Sequence, residues 1–504
     1  MRTAAIFSHN MVLQREKPIR IWGDADSGEQ ICITLGDCSV SVIARNNRWL
    51  AILPPMSAAV GLTMTIRGAV DTITFTNIAI GEVWLCGGQS NMEFEIHSEQ
   101  NGEALLQTLS PDCGVRFYYT PKQRIKDEQF EAIERNTCWT EASPKDSRAW
   151  SAVGLYFALQ ISKALDVTVG LIGCNWGGTS ACAWIPRETL EEHPALYPYL
   201  EDYDAAMKGK TMQEHIREYD EYIVYQDAWN LRCGECYAKE PGCSWDRVLE
   251  VCGESRYPGP MGPKNEYRPG GLYETMLSRV CPYTLRGFLY YQGESDDHRP
   301  DTYALLLSAL IGKWRSDWQD PALPFLNVQL PMFRYRHDPD YQHWCRIREA
   351  QADVYCTLKH TGLAVLADCG ELDNIHPIEK KTVGERLALQ ALYEVYGIIS
   401  QEDACAPMYR DHYVIGNTMI LRIDNAAHGF VLHGEPAGFT LAGEDRCFYP
   451  AKAVLAEGQI RLTAAEVSTP CYARYAWSNF TTVHIYGKNG LPLMPFRTHR
   501  TDTV

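Results

Sequence analysis

The chain of 504 residues carries 47 Lys and Arg against 63 Asp and Glu, which gives a formal net charge of −16. Apolar residues make up 45% and charged residues 22% of the chain, values that are typical of soluble globular proteins and exclude a disordered or fibrous one. The acidic excess argues against nucleic acid, and against an anionic membrane surface, as the main partner.

The first 80 residues are predicted to form an antiparallel β domain of the sandwich type. Apolar residues alternate with polar or small ones in this segment, as at Ile31, Ile33 and Leu35. A period of two indicates a sheet with one buried face.

No targeting segment is visible at the N-terminus, where the apolar run Ala4 to Phe7 is too short for the core of a signal peptide. No run of about 18 apolar residues predicts a membrane span either. We therefore expect a cytoplasmic protein whose 18 cysteines are mostly reduced and buried as small hydrophobic residues.

Residues 81–400 change in character, because short continuous apolar runs now alternate with helical patterns. Strands that are buried on both faces have this composition, so the alternation predicts a three-layer α/β domain around a parallel sheet. An insertion is expected at about 200–268, and strand-like alternation returns in a second β module over residues 401–504. The five runs are IAIGEVWLC (78–86), VTVGLIGC (167–174), GFLYY (287–291), FLNVQL (325–330) and GLAVLA (362–367).

Small, flexible or hydrogen-bonding residues follow four of these five runs. Ligands bind at the carboxyl ends of the strands of an open parallel sheet, so these segments together predict a site. They are GGQSNM (87–92), NWGGT (175–179), QGESD (292–296) and DNIHP (373–377).

Ser90 follows two glycines at a predicted strand-to-helix turn, where its hydroxyl would be exposed and its N–H would lie at a helix N-terminus. Ser90 is therefore a candidate nucleophile, and the alternative is a helix N-cap. The motif is not the G-x-S-x-G elbow, because Met92 stands where the second glycine belongs.

Asp373 and His376 are the candidate partners of Ser90. A serine hydroxyl needs an imidazole to accept its proton, and the imidazole needs a carboxylate to fix its tautomer. One loop can deliver both side chains over this spacing, and the order Ser…Asp…His is allowed for a triad. The alternative is a surface loop with a capping aspartate.

An acyl-transfer site also needs donors for the oxyanion. The N–H of Ser90, the N–H of Gly178 or Gly177 and the side-chain amide of Gln292 are the candidates. A plain turn at the two glycines, and a polar residue that satisfies a strand end at Gln292, are the alternatives.

The four blocks GQSNM, NWGGT, QGESD and DNIH, in this order, resemble the sialate O-acetylesterase family of the SGNH hydrolase superfamily. The segments SHNMVLQREKPIRIWG (8–23), PGGLYETML (269–277) and GLPLMPFRT (490–498) are also similar to this family. The resemblance implies a flavodoxin-like SGNH fold with flanking β modules.

The resemblance implies a role for each matching residue: Ser90 as nucleophile, His376 as base, Asp373 as its orienting partner, and Gly178 and Gln292 as oxyanion donors. It also implies that the protein removes O-acetyl groups from carbohydrate, with O-acetylated sialic acid as the first substrate to test. No cofactor is expected. An acetyl-xylan or general carbohydrate acetylesterase, and a glycan-binding protein without activity, are the alternatives.

Two further residues are candidates for substrate binding, and one cysteine cluster is a candidate metal site. Trp176 offers a surface on which a sugar could stack, and Glu294 could contact substrate or anchor its own loop. The cluster could hold zinc, but only its first pair has the spacing of a zinc site, so no metal is expected. Its members are Cys233, Cys236, Cys243 and Cys252.

Overall fold

The computed structural model describes residues 1–240, 243, 245–334, 340–456 and 458–500. Parts of the predicted insertion and of the predicted C-terminal module, residues 241, 242, 244, 457 and 501–504, lie outside the described residues.

The strands, in chain order, are β1 Arg2–Thr3, β2 Val12–Gln14, β3 Ile19–Asp24, β4 Gln30–Leu35, β5 Cys38–Ile43, β6 Arg48–Leu53, β7 Ala59–Arg67, β8 Thr72–Gly88, β9 Val115–Tyr119, β10 Thr140–Glu141, β11 Val169–Asn175, β12 Gly287–Tyr291, β13 Phe325–Gln329, β14 Thr361–Val365, β15 Met408–Ile415, β16 Thr418–Asp424, β17 Phe430–Leu432, β18 Phe439–Ala442, β19 Tyr449–Pro450, β20 Lys452–Ala456, β21 Gln459–Thr463, β22 Tyr472–Tyr475, β23 Ile485–Gly487 and β24 Phe496–Arg497.

The α-helices are α1 Ser90–Glu93, α2 Gly102–Leu106, α3 Phe130–Arg135, α4 Ala152–Leu165, α5 Arg187–Glu191, α6 Pro198–Ala206, α7 Met212–Lys239, α8 Trp245–Cys252, α9 Ser278–Val280, α10 Pro300–Asp317, α11 His343–Thr357, α12 Lys381–Glu394 and α13 Gln401–Ala404. Among the described residues, no helix is both long and apolar enough to cross a membrane.

The five apolar runs of the central segment form the strands β8, β11, β12, β13 and β14, and all five are parallel. They lie in the order β11-β8-β12-β13-β14. Numbered among these five strands alone, without the parallel strand β9 that lies beyond β11, this is the order 2-1-3-4-5 of flavodoxin-like sheets, whose ligands bind at the carboxyl ends of strands 1 and 3. The predicted parallel core is confirmed, and it places the segments that follow β8 and β12 side by side.

The complete central sheet is mixed, because further strands join this parallel core. Strand β9 extends it beyond β11, and β10 pairs antiparallel with β9. The N-terminal half of β8 pairs with β2 and β7, so one long strand runs from the N-terminal β region into the centre. The burial of β8 follows this course, since exposed and buried residues alternate at first and every residue is buried from Ile78 onward.

The local sequence accounts for the ends of α4 and for the buried residues of α10. The side chain of Ser151 caps α4 by accepting the Gly154 N–H at 3.1 Å, and Asp166 ends the helix in a left-handed conformation. The apolar residues that recur at helical spacing in α10, including Tyr303 and Trp314, are buried. Which face of the sheet each helix covers, and hence the three-layer arrangement, stays a prediction.

Antiparallel β sheets occur at both ends of the chain, as predicted. The alternating residues of β4 are buried on one face only. In the C-terminal part, β15, β16, β20 and β21 form one sheet, and β18, β19, β22 and β24 form another. Their apolar core, which includes Met419, Leu421 and Ile460, is continuous with residues Leu363 and Val365 of β14.

The chain divides into two units. One contains residues 1–121, 133–181 and 280–504, and the other contains residues 122–132 and 182–279. The predicted insertion at 200–268 lies within the second unit. The predicted domain boundaries near 80 and 400 stay a prediction.

The long helix α7 dominates the second unit and starts at a capping box. Thr211 and Glu214 exchange hydrogen bonds there, with the Thr211 N–H donating to the Glu214 carboxylate at 2.7 Å. Near its other end, Cys233 and Cys236 pack with Cys252 of α8 in a small apolar core that Cys243 also contacts. Within the described ranges, no group of three or more metal-binding side chains is arranged to hold a metal ion.

Candidate functional site

Ser90 is the first residue of α1 and follows directly on the turn that ends β8. Gln89 occupies the N-cap position, so the alternative of Ser90 as the cap is wrong. The turn needs a glycine at position 88, because φ is +130° there and a Cβ would lie 2.1 Å from the Tyr291 carbonyl oxygen. Ser90 is partly exposed, and its N–H, at the first helical position, has no intrahelical acceptor.

His376 reaches Ser90 from a loop that is 286 residues further along the chain. Its Nε2 lies 2.8 Å from the Ser90 Oγ. The side chain of Asn374 fixes the loop by accepting the His376 N–H at 3.0 Å. Burial lowers the pKa of His376, the positive charge of Lys380 lowers it further, and the carboxylate of Glu93 raises it. The imidazole is therefore neutral at neutral pH, which is the form that accepts a proton.

In the described part of the structure, no hydrogen bond joins Asp373 to the His376 ring, so the orienting role of Asp373 stays a prediction. Among the described residues, Ser90 alone is hydrogen-bonded to the His376 ring, and the nearby carboxylate whose charge acts on that ring belongs to Glu93. Asp373 has a left-handed φ of +65°, and its N–H donates to the Arg334 carbonyl at 3.2 Å.

The glycine pair after β11 lies directly against the nucleophile turn. The Gly177 N–H donates to the Glu93 carboxylate at 2.7 Å, and a Cβ at position 177 would lie 3.2 Å from the Ser90 Cβ. Gly178 follows with a left-handed φ of +75°, and within the described part of the chain no acceptor takes its N–H. Ser90 and Gly178 are both partly exposed residues, so their N–H groups are the candidates that could bind a ligand.

Gln292 is fully buried, and hydrogen bonds within the protein occupy its amide. The Nε2 group lies 2.5 Å from an Asp296 carboxylate oxygen and 3.2 Å from both the Gln89 Oε1 and the Thr179 carbonyl, while Oε1 accepts from the Tyr303 hydroxyl. Nε2 carries two hydrogens and already has three acceptors within reach. With the amide engaged in this way, the role of Gln292 as an oxyanion donor stays a prediction.

Asp296 explains why Gln292 is held in this way. One carboxylate oxygen of Asp296 accepts from the Ser180 hydroxyl at 2.5 Å, and the other accepts from the Ala181 N–H at 2.9 Å as well as from Gln292. The segment after β12 is thereby joined to the loop that carries Gly178. Gln292 and Asp296 therefore hold these two segments of the site together.

Both predicted substrate-binding side chains are largely buried. Trp176 is 8% exposed, and its backbone N–H donates to the Gly88 carbonyl at 3.1 Å. Glu294 is 5% exposed and accepts a hydrogen bond from the Asn91 side chain at 2.6 Å. For Glu294, this position fits the alternative in which the side chain anchors its own loop. For Trp176, a direct contact with substrate stays a prediction.

Asn91 links the nucleophile turn to the histidine loop, a role that the sequence did not reveal. Its Nδ2 group donates to Glu294 and, at 3.0 Å, to the carbonyl of Ile375, which directly precedes His376. Its Oδ1 accepts from the Lys380 ammonium at 2.6 Å. The only sequence signal was the position of Asn91 next to Ser90 within the GQSNM block.

Comparison with known proteins agrees with this geometry. Residues 262–393 match the family model "Carbohydrate esterase, sialic acid-specific acetylesterase". The chain is 26% identical to sialate O-acetylesterase from Mus musculus over 429 residues, which cover 79% of this chain and 74% of the mouse protein. The chain is a relative of the sialate O-acetylesterases. The Homo sapiens enzyme is 24% identical, with 79% of this chain and 71% of that protein covered.

A solved structure supports the fold over the whole chain. The crystal structure of a carbohydrate acetylesterase from Xanthomonas citri superposes with a TM-score of 0.79, at 24% identity, and 99% of each chain is covered. The resemblance that the four sequence blocks indicate, to a family of carboxylic ester hydrolases, is confirmed by these matches.

Proposed function

We propose that this protein is a serine esterase that removes O-acetyl groups from carbohydrate, with O-acetylated sialic acid as the foremost substrate. The observation that carries the proposal is the 2.8 Å contact between the Ser90 hydroxyl and the His376 Nε2. The proposal includes an SGNH-type three-layer arrangement, which the 2-1-3-4-5 strand order supports. It also keeps the expectation of a cytoplasmic location.

In the first half of the reaction, the Ser90 Oγ attacks the acetyl carbonyl carbon while its proton passes to the His376 Nε2. The N–H groups of Ser90 and Gly178 would bind the oxyanion that forms, and each such donor typically stabilises a transition state by about 3 kcal/mol. His376 then gives the proton to the sugar oxygen as the C–O bond breaks, which leaves an acetyl group on Ser90.

In the second half, His376 takes a proton from water, and the resulting hydroxide attacks the acetyl-enzyme. Collapse of this second intermediate releases acetate and returns the proton to Ser90. The imidazole must start each half neutral, which the lowered pKa of His376 favours. Ester hydrolysis by this route requires no redox group, so the residues of the chain suffice for the chemistry.

Removing the Ser90 hydroxyl tests the nucleophile. We expect the Ser90→Ala variant to hydrolyse p-nitrophenyl acetate at least about 10³-fold more slowly than wild type, since the acetyl-enzyme cannot form. Ser98→Ala, a change at an exposed serine shortly after α1, is the matched control and should retain full activity. Equal rates for Ser90→Ala and wild type would remove Ser90 from the mechanism.

Product analysis on two panels of substrates tests the sugar. O-acetylated sialic acids and acetylated xylo-oligosaccharides would be incubated with the wild-type enzyme, and released acetate would be measured. Faster release from the sialic acids supports the proposal, whereas faster release from the xylo-oligosaccharides supports a general carbohydrate acetylesterase. Binding of either panel without acetate release would indicate a glycan-binding protein.

A further inference from the structure

Lys380 carries a buried ammonium group that is bonded to Asn91, the residue after Ser90. Its side chain is completely buried, and its Nζ donates one hydrogen bond, to the Asn91 Oδ1 at 2.6 Å. The ammonium also faces the Phe94 and Tyr291 rings, at 4.7 and 5.8 Å from their centres. In the described residues, no carboxylate lies within 4 Å of it, although buried charges are usually paired directly.

Several carboxylates nevertheless surround this ammonium group at longer range. Burial lowers the pKa of Lys380 to about 8, and the negative charges of Glu294, Glu371 and Glu379 oppose that shift, with that of Glu294 the strongest. The Cys369 thiol acts in the same direction. The Lys380 backbone N–H also meets the Glu99 carboxylate at 3.4 Å. The cation is thus present below about pH 8.

Asn91 links the Lys380 ammonium to the histidine loop, because it accepts from Lys380 at 2.6 Å and donates at 3.0 Å to the carbonyl of Ile375, which directly precedes His376. Two charged groups act on that imidazole: Lys380, which favours its neutral form, and Glu93 of α1, which favours its protonated form. We propose that Lys380 is a positioning residue that keeps His376 in its neutral, proton-accepting form, and that Asn91, itself bonded to Glu294, holds the ammonium in place. This inference rests on the proposed function of Ser90 and His376.

Glu294 makes this arrangement effective at mildly acidic pH. One of its oxygens accepts from Asn91, and the other is buried without a hydrogen-bond partner in the described ranges. Burial raises the pKa of Glu294 to about 7, and the neighbouring Asp296 charge adds to the effect. Protonation of Glu294 would remove the negative charge that acts most strongly on Lys380. The uncompensated Lys380 charge then opposes protonation of the imidazole.

The test is the pH dependence of Ser90 labelling by a fluorophosphonate probe. The Ser90 Oγ displaces fluoride from phosphorus, His376 accepts the serine proton, and mass spectrometry follows the phosphonylated peptide. The rate falls at acidic pH with a midpoint that reports the ionisation of His376. In Lys380→Met we expect this midpoint to rise by about one pH unit, because the opposing cation is gone.

Three further variants complete the test. Lys380→Gln removes the charge but can still donate to Asn91, so its midpoint should rise in the same way even if Lys380→Met does not fold. Lys380→Arg retains the charge and should keep the wild-type midpoint. Glu93→Gln removes the charge of opposite effect and should lower the midpoint, while its amide oxygen can still accept from Gly177.

The outcomes separate the two hypotheses. A slower rate with an unmoved midpoint in the folded Lys380 variants would leave Lys380 with a structural role only and overturn the inference. The same follows if Lys380→Arg shifts the midpoint as far as Lys380→Met does. Wild-type protein in which the probe does not label Ser90 would instead overturn the proposed function, and this inference with it.

Discussion

Substituting Gly88 by alanine is the sharpest test of how the nucleophile turn is built. A Cβ at this position would lie 2.1 Å from the Tyr291 carbonyl oxygen and 2.8 Å from its carbonyl carbon. The turn must therefore move away from β12 by about 1 Å before the new Cβ and the Tyr291 oxygen reach the shortest separation that Cβ contacts allow. Since Ser90 lies two residues further on, the nucleophile moves with the turn. A misplacement of about 1 Å costs on the order of 10²-fold in rate.

The perturbation also affects stability. The φ of +130° at Gly88 is strained for alanine, at a typical cost of about 1–3 kcal/mol. This movement also weakens the hydrogen bond from the Gln89 N–H to the Tyr291 carbonyl. The bond is 3.1 Å long in the wild-type protein and contributes about 1 kcal/mol. We expect kcat/KM for p-nitrophenyl acetate to fall at least about 100-fold, with a lowered thermal midpoint.

Gly416→Ala is the control, because Gly416 also has a positive φ, +60°, but no atom lies within 4 Å of an added Cβ. This variant should lose stability by about 1–2 kcal/mol from backbone strain alone and keep its kcat/KM. A folded Gly88→Ala protein with wild-type kcat/KM would show that the close approach of the turn to β12 does not set the position of Ser90.

Three other expectations follow from the same geometry. Asp373→Asn should lower kcat/KM less than about tenfold, rather than the roughly 10⁴-fold seen for an orienting carboxylate, because Asp373 is not bonded to the His376 ring. Gln292→Met should reduce the free energy of unfolding by about 1–3 kcal/mol in a denaturant titration, since it deprives the buried Asp296 of a donor. The acidic limb of a kcat/KM profile should have its midpoint below pH 6.5: burial lowers the pKa of His376, so its active neutral form persists to lower pH.

The parallel core could be predicted from sequence because strands buried on both faces leave a continuous apolar run. All residues of β11, β12, β13 and β14 are buried. The ends of such strands lie at one edge of the sheet, so the segments that follow them could be assigned to one site without knowledge of the strand order. The contact between Ser90 and His376 follows from the same reasoning.

The hydrogen bonds around Asp373 and Gln292 could not be predicted, since they depend on tertiary contacts. The spacing D-x-x-H allows a triad contact, but the Asn374 side chain accepts the His376 N–H and donates to Glu371, which determines how the loop turns. The sequence likewise places Gln292 at a strand end without showing that Asp296, four residues later, competes for its amide. Polar residues within a few positions of one another compete for the same donors, and burial decides the outcome.

The formal charge of −16 would repel a substrate that carries a carboxylate, but this repulsion acts only over a short distance. Charges are screened beyond about 8 Å at physiological ionic strength, so local groups govern recognition at the site. Lys380 is completely buried and bonded to Asn91, so its ammonium serves the imidazole and cannot itself contact a sugar acid. An electrostatic preference for sialic acid over neutral sugars would therefore require another cation near the Ser90 hydroxyl. The test is the rate of acetate release from the sialic acids divided by the rate from the xylo-oligosaccharides, measured at increasing salt. This ratio should fall as salt rises if such a cation attracts the sialate carboxylate. It should stay constant if shape alone distinguishes the sugars.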